Sequence, residues 1–204
     1  QFAKDGTNFG QVEKAYFNSR PKTYRKWYTM RDRMPKYLKV GTTTWINDTV
    51  KLEENYIVKY YFPDNSTGYL QTGVNFTILR YSDVLLTYAE ALNEANGGPT
   101  AEAYNAINKV RQRARAVGTA YEQPASLYPD LSGLTKEQFR QAVLDERAEE
   151  FIGEGERRND LNRYDLLLTV GNTFGVSVKP GYVLYPIPSN EIVLNPLLKQ
   201  NPDY

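Results

Sequence analysis

Six carboxylates crowd into a single stretch of this chain: Asp145, Glu146, Glu149, Glu150, Glu154 and Glu156. Two acids flanking a scissile bond are the means by which glycosidases cleave, so hydrolysis is the first chemistry to consider. A hydrolase needs one of those acids kept protonated beside an open cleft. Here Arg147, Arg157, Arg158 and Arg163 stand within reach, and guanidinium neighbours hold carboxylates ionised. Charges this dense around Phe151 and Leu161 are costly to bury unless they pair, and the first of them recur at the three- and four-residue steps that meet on a helix surface. The block reads as a structural charge network of Glu146, Arg147, Glu150, Glu154, Arg157, Asp160 and Arg163. No catalytic residue is assigned.

The rest of the composition narrows the chemistry further. The sequence has no cysteine, which removes disulfides, zinc thiolates and thiol nucleophiles. It has no histidine, which removes the commonest general base and most transition-metal sites. No acidic cluster has the spacing of a calcium loop, and Gly153-x-Gly155 lacks the rest of a phosphate-binding glycine pattern. Neither metal nor cofactor is expected. No apolar run is long enough to span a bilayer.

The binding-type residues lie elsewhere. Tyr24-Arg25-Lys26-Trp27-Tyr28 is followed by Arg31, Arg33 and Tyr37, then by Trp45, Asn47 and Asp48. Both tryptophans fall in this segment, and tyrosine is abundant in the whole chain at 17 residues. A pyranose presents one apolar C–H face, which stacks on an indole or phenol, while its hydroxyls seek amide, carboxylate and guanidinium groups. Trp27, Tyr28, Trp45, Tyr24, Asn47 and Asp48 are therefore the candidate ligand-binding residues. The alternative is that Trp27 and Trp45 only anchor loops to the core. Basic residues interleaved with aromatics also suit single-stranded nucleic acid, but a net charge of +1 supplies no general field for it. An acidic glycan or the rim of a protein partner would use the same charges.

The elements that must position these groups are mainly helical. Residues 1–78 read as a loop-rich segment with short strands, Tyr56–Phe62 and Thr42–Ile46 being the β-branched and aromatic runs. From Leu79 the pattern turns helical. Val84, Leu85, Tyr88, Ala91, Leu92 and Ala95 mark one amphipathic face, closed by Gly97-Gly98. A second helix carries Ala103, Tyr104, Ile107, Val110 and Ala114, and a short link makes the pair antiparallel. Thr135-Lys136-Glu137-Gln138 is a capping box that opens a third helix running to about Gly153. Residues 157–170 read as a fourth helix, and Tyr182–Tyr185 as a short strand before a proline-rich tail. The fold class is mainly α: tetratricopeptide-like helical hairpins beside a loop-rich region, with residues 1–78 and 79–204 forming one structural unit.

Three ordered motifs carry a specific resemblance. They are Leu79-Arg80-Tyr81-Ser82-Asp83 through Ala91, then Glu146-Arg147 with Glu154-Gly155-Glu156-Arg157 and Asp160-Leu161, then Leu184-Tyr185-Pro186-Ile187-Pro188 with Asn195-Pro196 and Asn201-Pro202. Together they resemble the C-terminal half of the SusD/RagB family, lipid-anchored glycan-binding proteins at the outer surface of Bacteroidetes-type bacteria. The resemblance implies a SusD-like α/α superhelix whose N-terminal half, with any lipid-bearing cysteine, lies outside this chain. It implies non-catalytic binding of an oligosaccharide and delivery to a SusC-like TonB-dependent transporter, on an outward-facing lipoprotein of the cell outer membrane. Membrane contact would come only through that lipid anchor, and no nucleic acid is involved. A RagB-like scaffold for peptide or protein ligands is the alternative. The sequence departs from many relatives at Arg158 and Asn159, where bulky aromatics are usual, and at Asn162, often arginine.

Overall fold

The computed structural model describes residues 11–12, 14–36, 48–57, 59, 77–173 and 175–204. The chain divides into two compact units, the first ending at Glu154 and the second running from Gly155 to Tyr204. The boundary expected at residue 78 is therefore displaced, and it falls inside the charged block. The reason is local. Gly153 and Gly155 both take positive φ, 79° and 88°, and turn the chain sharply where the third helix has ended.

In the first unit, strand β1 (Gln11–Val12) is followed by helices α1 (Lys14–Ser19) and α2 (Tyr24–Thr29), then by strands β2 (Met30–Lys36) and β3 (Asp48–Ile57). The strands form an antiparallel sheet of order β1-β3-β2, with Met30 opposite Ile57 and Pro35 opposite Thr49. Pro35 is tolerated because β2 is an edge, where one strand face needs no ladder donor. Of the strand expected at Tyr56–Phe62, Tyr56 and Ile57 end β3, and all the rest but Lys59 lies outside the described residues; β2 and both short helices stand where loops were expected. Cross-strand pairing, not local periodicity, decided those residues. The run Thr42–Ile46 lies outside the described residues.

The helical part follows its caps closely. Helix α3 (Tyr81–Ala95) ends at Asn96, and Gly97 supplies the left-handed turn at φ 69°. Thr100 then caps α4 (Ala101–Ala114), its hydroxyl accepting from the Ala103 amide at 3.2 Å. At the start of α5 (Lys136–Glu150) the capping box forms in both directions, Gln138 N to Thr135 Oγ1 at 3.3 Å and Thr135 N to Gln138 Oε1 at 3.0 Å. The core joins Leu86, Ala89, Ala103, Ile107, Val110, Phe139, Val143 and Phe151, with the Tyr104 ring edge-on to Phe139 at 5.1 Å.

On α3 the buried face differs from the expected stripe. Ser82, Leu86, Ala89 and Asn93 are buried, while Val84 and Tyr88 are half exposed. Apolar residues surround this helix, so periodicity does not choose a face. Packing chose the one that places Leu86 and Ala89 in a common core with Ala103, Ala106 and Ile107 of α4. A smaller cluster of Val12, Met30 and Ile152, flanked by Phe17 and Ile57, fastens the sheet to the end of α5. That cluster is why the segment before residue 78 belongs to the same unit as α3–α5.

In the second unit the expected fourth helix is two: α6 (Arg157–Arg163) and α7 (Leu167–Thr173). Asp165 takes φ 56°, and the Leu166 and Asp165 amides close back on the carbonyls of Leu161 and Asn162 at 2.8 and 3.1 Å. This is a Schellman ending with aspartate in the place usually given to glycine, which is why the sequence did not announce it. The strand expected at Tyr182–Tyr185 is absent among the described residues. Residues Pro180–Val183 form a 3₁₀ turn, and α8 (Ser189–Leu194) follows. The tail packs on this segment through side-chain amides. Gln200 brackets Ile187, accepting from its N–H and donating to its carbonyl, both at 2.8 Å, while Asn201 donates to the Tyr185 carbonyl at 2.7 Å. Arg158 and Asn162 donate to the carbonyls of Leu184 (3.0 Å) and Val183 (2.9 Å), and the Arg158 guanidinium sits 3.8 Å from the Tyr185 ring centre. These polar residues thus hold a backbone that has no ladder partner among the described residues.

Candidate functional site

Helix α2 is only six residues long, and it has two chemically opposite faces. Thr23 caps it, its hydroxyl accepting from the Lys26 amide at 3.1 Å. Arg25, Lys26 and Thr29 point inward and are buried. Trp27 and Tyr28 point outward, 45% and 50% exposed.

The inward face is fixed by ion pairs. Arg25 reaches Glu146 at 2.6 Å, Glu149 at 2.8 Å and Glu150 at 3.1 Å, and the Tyr128 hydroxyl at 3.2 Å. Arg111 holds the second oxygen of Glu146 at 2.8 Å, and the Tyr128 hydroxyl donates to the same oxygen at 2.6 Å. Arg80 contacts Glu150 at 2.7 Å and Glu154 at 2.8 Å, Arg113 also reaches Glu150, and Lys59 reaches Glu154. Glu146 and Glu150 are each 1% exposed. Burial pushes the Glu150 carboxyl up, but Arg25, Arg113 and Arg80 together outweigh it and hold the group at about 2. Burial alone would push the Arg25 guanidinium down, yet Glu146 and its neighbours carry it well above its ordinary value.

Much of the charge that meets this cluster comes from cations far away in sequence. Arg147 reaches Asp83 on α3 at 2.7 Å. In the second unit, Arg157 opens α6, and Asp160 pairs with Arg163 at 3.1 Å. Arg25, Arg80 and Arg111 are distant in sequence from the glutamates, so no helical spacing could have paired them.

The outward face forms an aromatic surface. The rings of Tyr24 and Tyr28 lie 4.7 Å apart, and Tyr121 stacks on Tyr24 at 5.6 Å with an interplanar angle of 22°. Arg31 lays its guanidinium 4.7 Å from the Trp27 ring centre and donates Nε to the Trp27 carbonyl at 2.7 Å. Trp27 also borders a cavity of about 370 Å³, whose apolar wall is completed by Phe17 and Met30. That volume admits one to a few sugar rings and falls in the range of small-molecule sites. An exposed indole beside an apolar hollow can take the C–H face of a ring, with charged groups at the edge for its hydroxyls.

Among the expected ligand-binding residues, the structure brings Tyr24, Trp27 and Tyr28 together on α2. Asp48 begins β3, opposite Lys36; Trp45 and Asn47 lie outside the described residues. Sequence reasoning did not single out Tyr121, Phe17 or Met30. Tyr121 comes from the loop after α4, and Phe17 and Met30 from α1 and the start of β2; all three join only through tertiary packing.

The sequence model of the SusD family matches residues 2–177. SusD-like protein P25 of Formosa agariphila is 39% identical over 145 residues, 68% of this chain and 25% of that protein. The starch-binding protein SusD of Bacteroides thetaiotaomicron is 33% identical over 138 residues, 62% of this chain and 21% of that protein. Among solved structures, a SusD homolog from Bacteroides thetaiotaomicron superposes with a TM-score of 0.56 at 34% identity, covering 74% of this chain and 32% of that one. The chain spans about a quarter of the length of these curated relatives. With the helical hairpin, the capping pattern and the matched span in agreement, the chain belongs to the SusD family.

Proposed function

We propose that this chain binds oligosaccharide without cleaving it, on the aromatic surface of α2. The observation that carries this reading is Trp27, half exposed at the mouth of an apolar-walled cavity while its own helix is clamped from behind by Arg25. A rigid, outward-facing indole loses little entropy when a sugar ring settles on it. Stacking on two such rings is worth on the order of 1–2 kcal/mol each, which suits micromolar to millimolar capture and ready release. The non-catalytic part of the reading is supported by the glutamates. Those with the most carboxylate neighbours are buried and paired, and Glu150 is held ionised far below the range of a general acid.

Delivery of the captured glycan to a SusC-like TonB-dependent transporter, by an outward-facing lipoprotein of the outer membrane, completes the proposal. Its support is membership of the SusD family. Calorimetric titration of the chain with a panel of plant, algal and host oligosaccharides tests the binding step. Trp27→Ala is expected to abolish binding while leaving the circular dichroism spectrum intact. Undiminished binding by that variant would refute the site.

A further inference from the structure

The Trp27 cavity carries an excess of positive charge that the rest of its unit does not. Three cationic side chains border it, Lys22, Lys26 and Arg31, against one acid, Asp32. The Lys26 ammonium donates to the carbonyls of Phe17 and Arg20 at 2.5 and 3.0 Å and rests 4.0 Å from the Phe17 ring centre. Carbonyls and a ring face orient that charge without cancelling it. Arg31 likewise gives Nε to a carbonyl, that of Trp27, and its face to the indole. Lys22 is exposed at the rim.

Elsewhere in the unit the fold neutralises its cations with care. Arg25, Arg80, Arg111 and Arg113 all meet glutamates, Arg147 meets Asp83, and Arg140 and Lys136 meet Glu94. The cavity cations make no such ion pair among the described residues. The buried arginines of the unit all meet acids, whereas a net positive rim surrounds one exposed indole, and such a rim attracts anions.

We propose that the Trp27 cavity selects oligosaccharides bearing carboxylate or sulfate groups, with a ring face on the indole and the anionic substituent at Lys22 and Arg31. This rests on the saccharide-binding reading and specifies its ligand class. Lys26 shapes the field from behind, since its ammonium is already committed to two carbonyls. Asp32 offsets part of the excess and offers an acceptor to ring hydroxyls. A guanidinium fork meets a carboxylate or sulfate through two parallel hydrogen bonds, which suits Arg31 to either group.

The test is titration of the full chain with hexagalacturonate, a chondroitin sulfate hexasaccharide and maltohexaose, at about 10 mM and about 300 mM salt. At low salt, at least one charged oligosaccharide is expected to bind about tenfold or more tightly than maltohexaose, with the advantage shrinking at high salt. Binding of the uronate alone, or of the sulfated chain alone, sustains the inference and identifies the group. Lys22→Glu, and Lys22→Glu combined with Arg31→Glu, are expected to remove the advantage of the charged chains over maltohexaose. Because Arg31 touches Trp27, the single variant separates loss of charge from loss of stacking. Equal affinity for charged and neutral chains, both abolished by Trp27→Ala, overturns the charge selection and leaves the saccharide reading standing. A preference for charged chains that survives both charge reversals also overturns it. Failure of all three oligosaccharides to bind overturns both.

Discussion

Arg25 Nη1 lies 2.6 Å from Glu146 Oε1, joining residues 121 positions apart in a buried contact. The pair fastens the short helix that displays Trp27 to the long helix at the centre of the unit. A six-residue helix has little stability of its own, so its orientation depends on what holds its inner face. The aromatic surface and the ionic cluster are thus two sides of one element.

Arg25→Ala should accordingly cost more than an ordinary surface substitution. It removes one guanidinium from three buried glutamates, and breaking a buried pair from one side typically destabilises by about 3–5 kcal/mol. Urea denaturation followed by circular dichroism measures the loss. A change below about 1 kcal/mol would mean that Arg80 and Arg111 suffice and that Arg25 is dispensable.

Acid should weaken the same cluster in a defined window. The Glu150 carboxyl is held at about 2 in the folded chain, below its ordinary value of 4.5. A group depressed in this way contributes stability above its unfolded pKa and loses it as pH falls toward the folded one. That contribution is on the order of 3 kcal/mol at neutral pH. Melting temperature is therefore expected to hold down to about pH 5 and to drop steadily between about pH 4.5 and 2. Glu150→Gln should start lower and slope less across that window. A variant that starts as high, with the parent's slope, would show that the acid sensitivity arises elsewhere.

The capping box at Thr135 offers a cleaner local measurement. Thr135→Ala leaves the Gln138 amide without its acceptor at the start of α5, a loss of about 1 kcal/mol for such caps. Thr135→Ser retains the oxygen and should stay within a few tenths of the parent. Equal losses in both variants would point to the threonine methyl group instead of the hydrogen bond.

In the second unit, Gly181 is the position most sensitive to size. A Cβ there would collide with the Pro202 carbonyl oxygen, while the Gly181 amide donates to the Asp203 carboxylate at 2.7 Å. Gly181→Ala should displace the tail and undo the stacking of Tyr204 on Tyr182, now 5.0 Å apart. Limited proteolysis is expected to cut the variant near Asn195–Asn201 at protease levels that the parent resists. Equal resistance in the two proteins would show that the tail re-seats around the methyl group.

The amino-acid sequence by itself determined the parts of this protein that obey short-range rules. Thr100 and Thr135 start helices because a hydroxyl reaches an amide three residues on, and Gly97 ends one because it alone adopts positive φ freely. The ordered motifs around Arg80, Glu146 and Tyr185 were enough to recognise the family. Asp165, by contrast, ended a helix in a glycine's role that its side chain does not advertise. The sheet also stayed hidden, because β1 and β3 pair across more than forty residues and pairing energy belongs to neither strand alone.

Tertiary structure alone decided the site. The glutamates of α5 were conspicuous, but Coulomb attraction depends on distance in space, and folding brought them Arg25, Arg80 and Arg111 from far away in sequence. Folding also turned Arg25 inward and Trp27 outward, set Tyr121 against Tyr24, and left Lys22, Lys26 and Arg31 around one hollow. Residue types supplied an indole and cations in one segment; only packing made one face of α2 a clamp and the other an exposed aromatic surface.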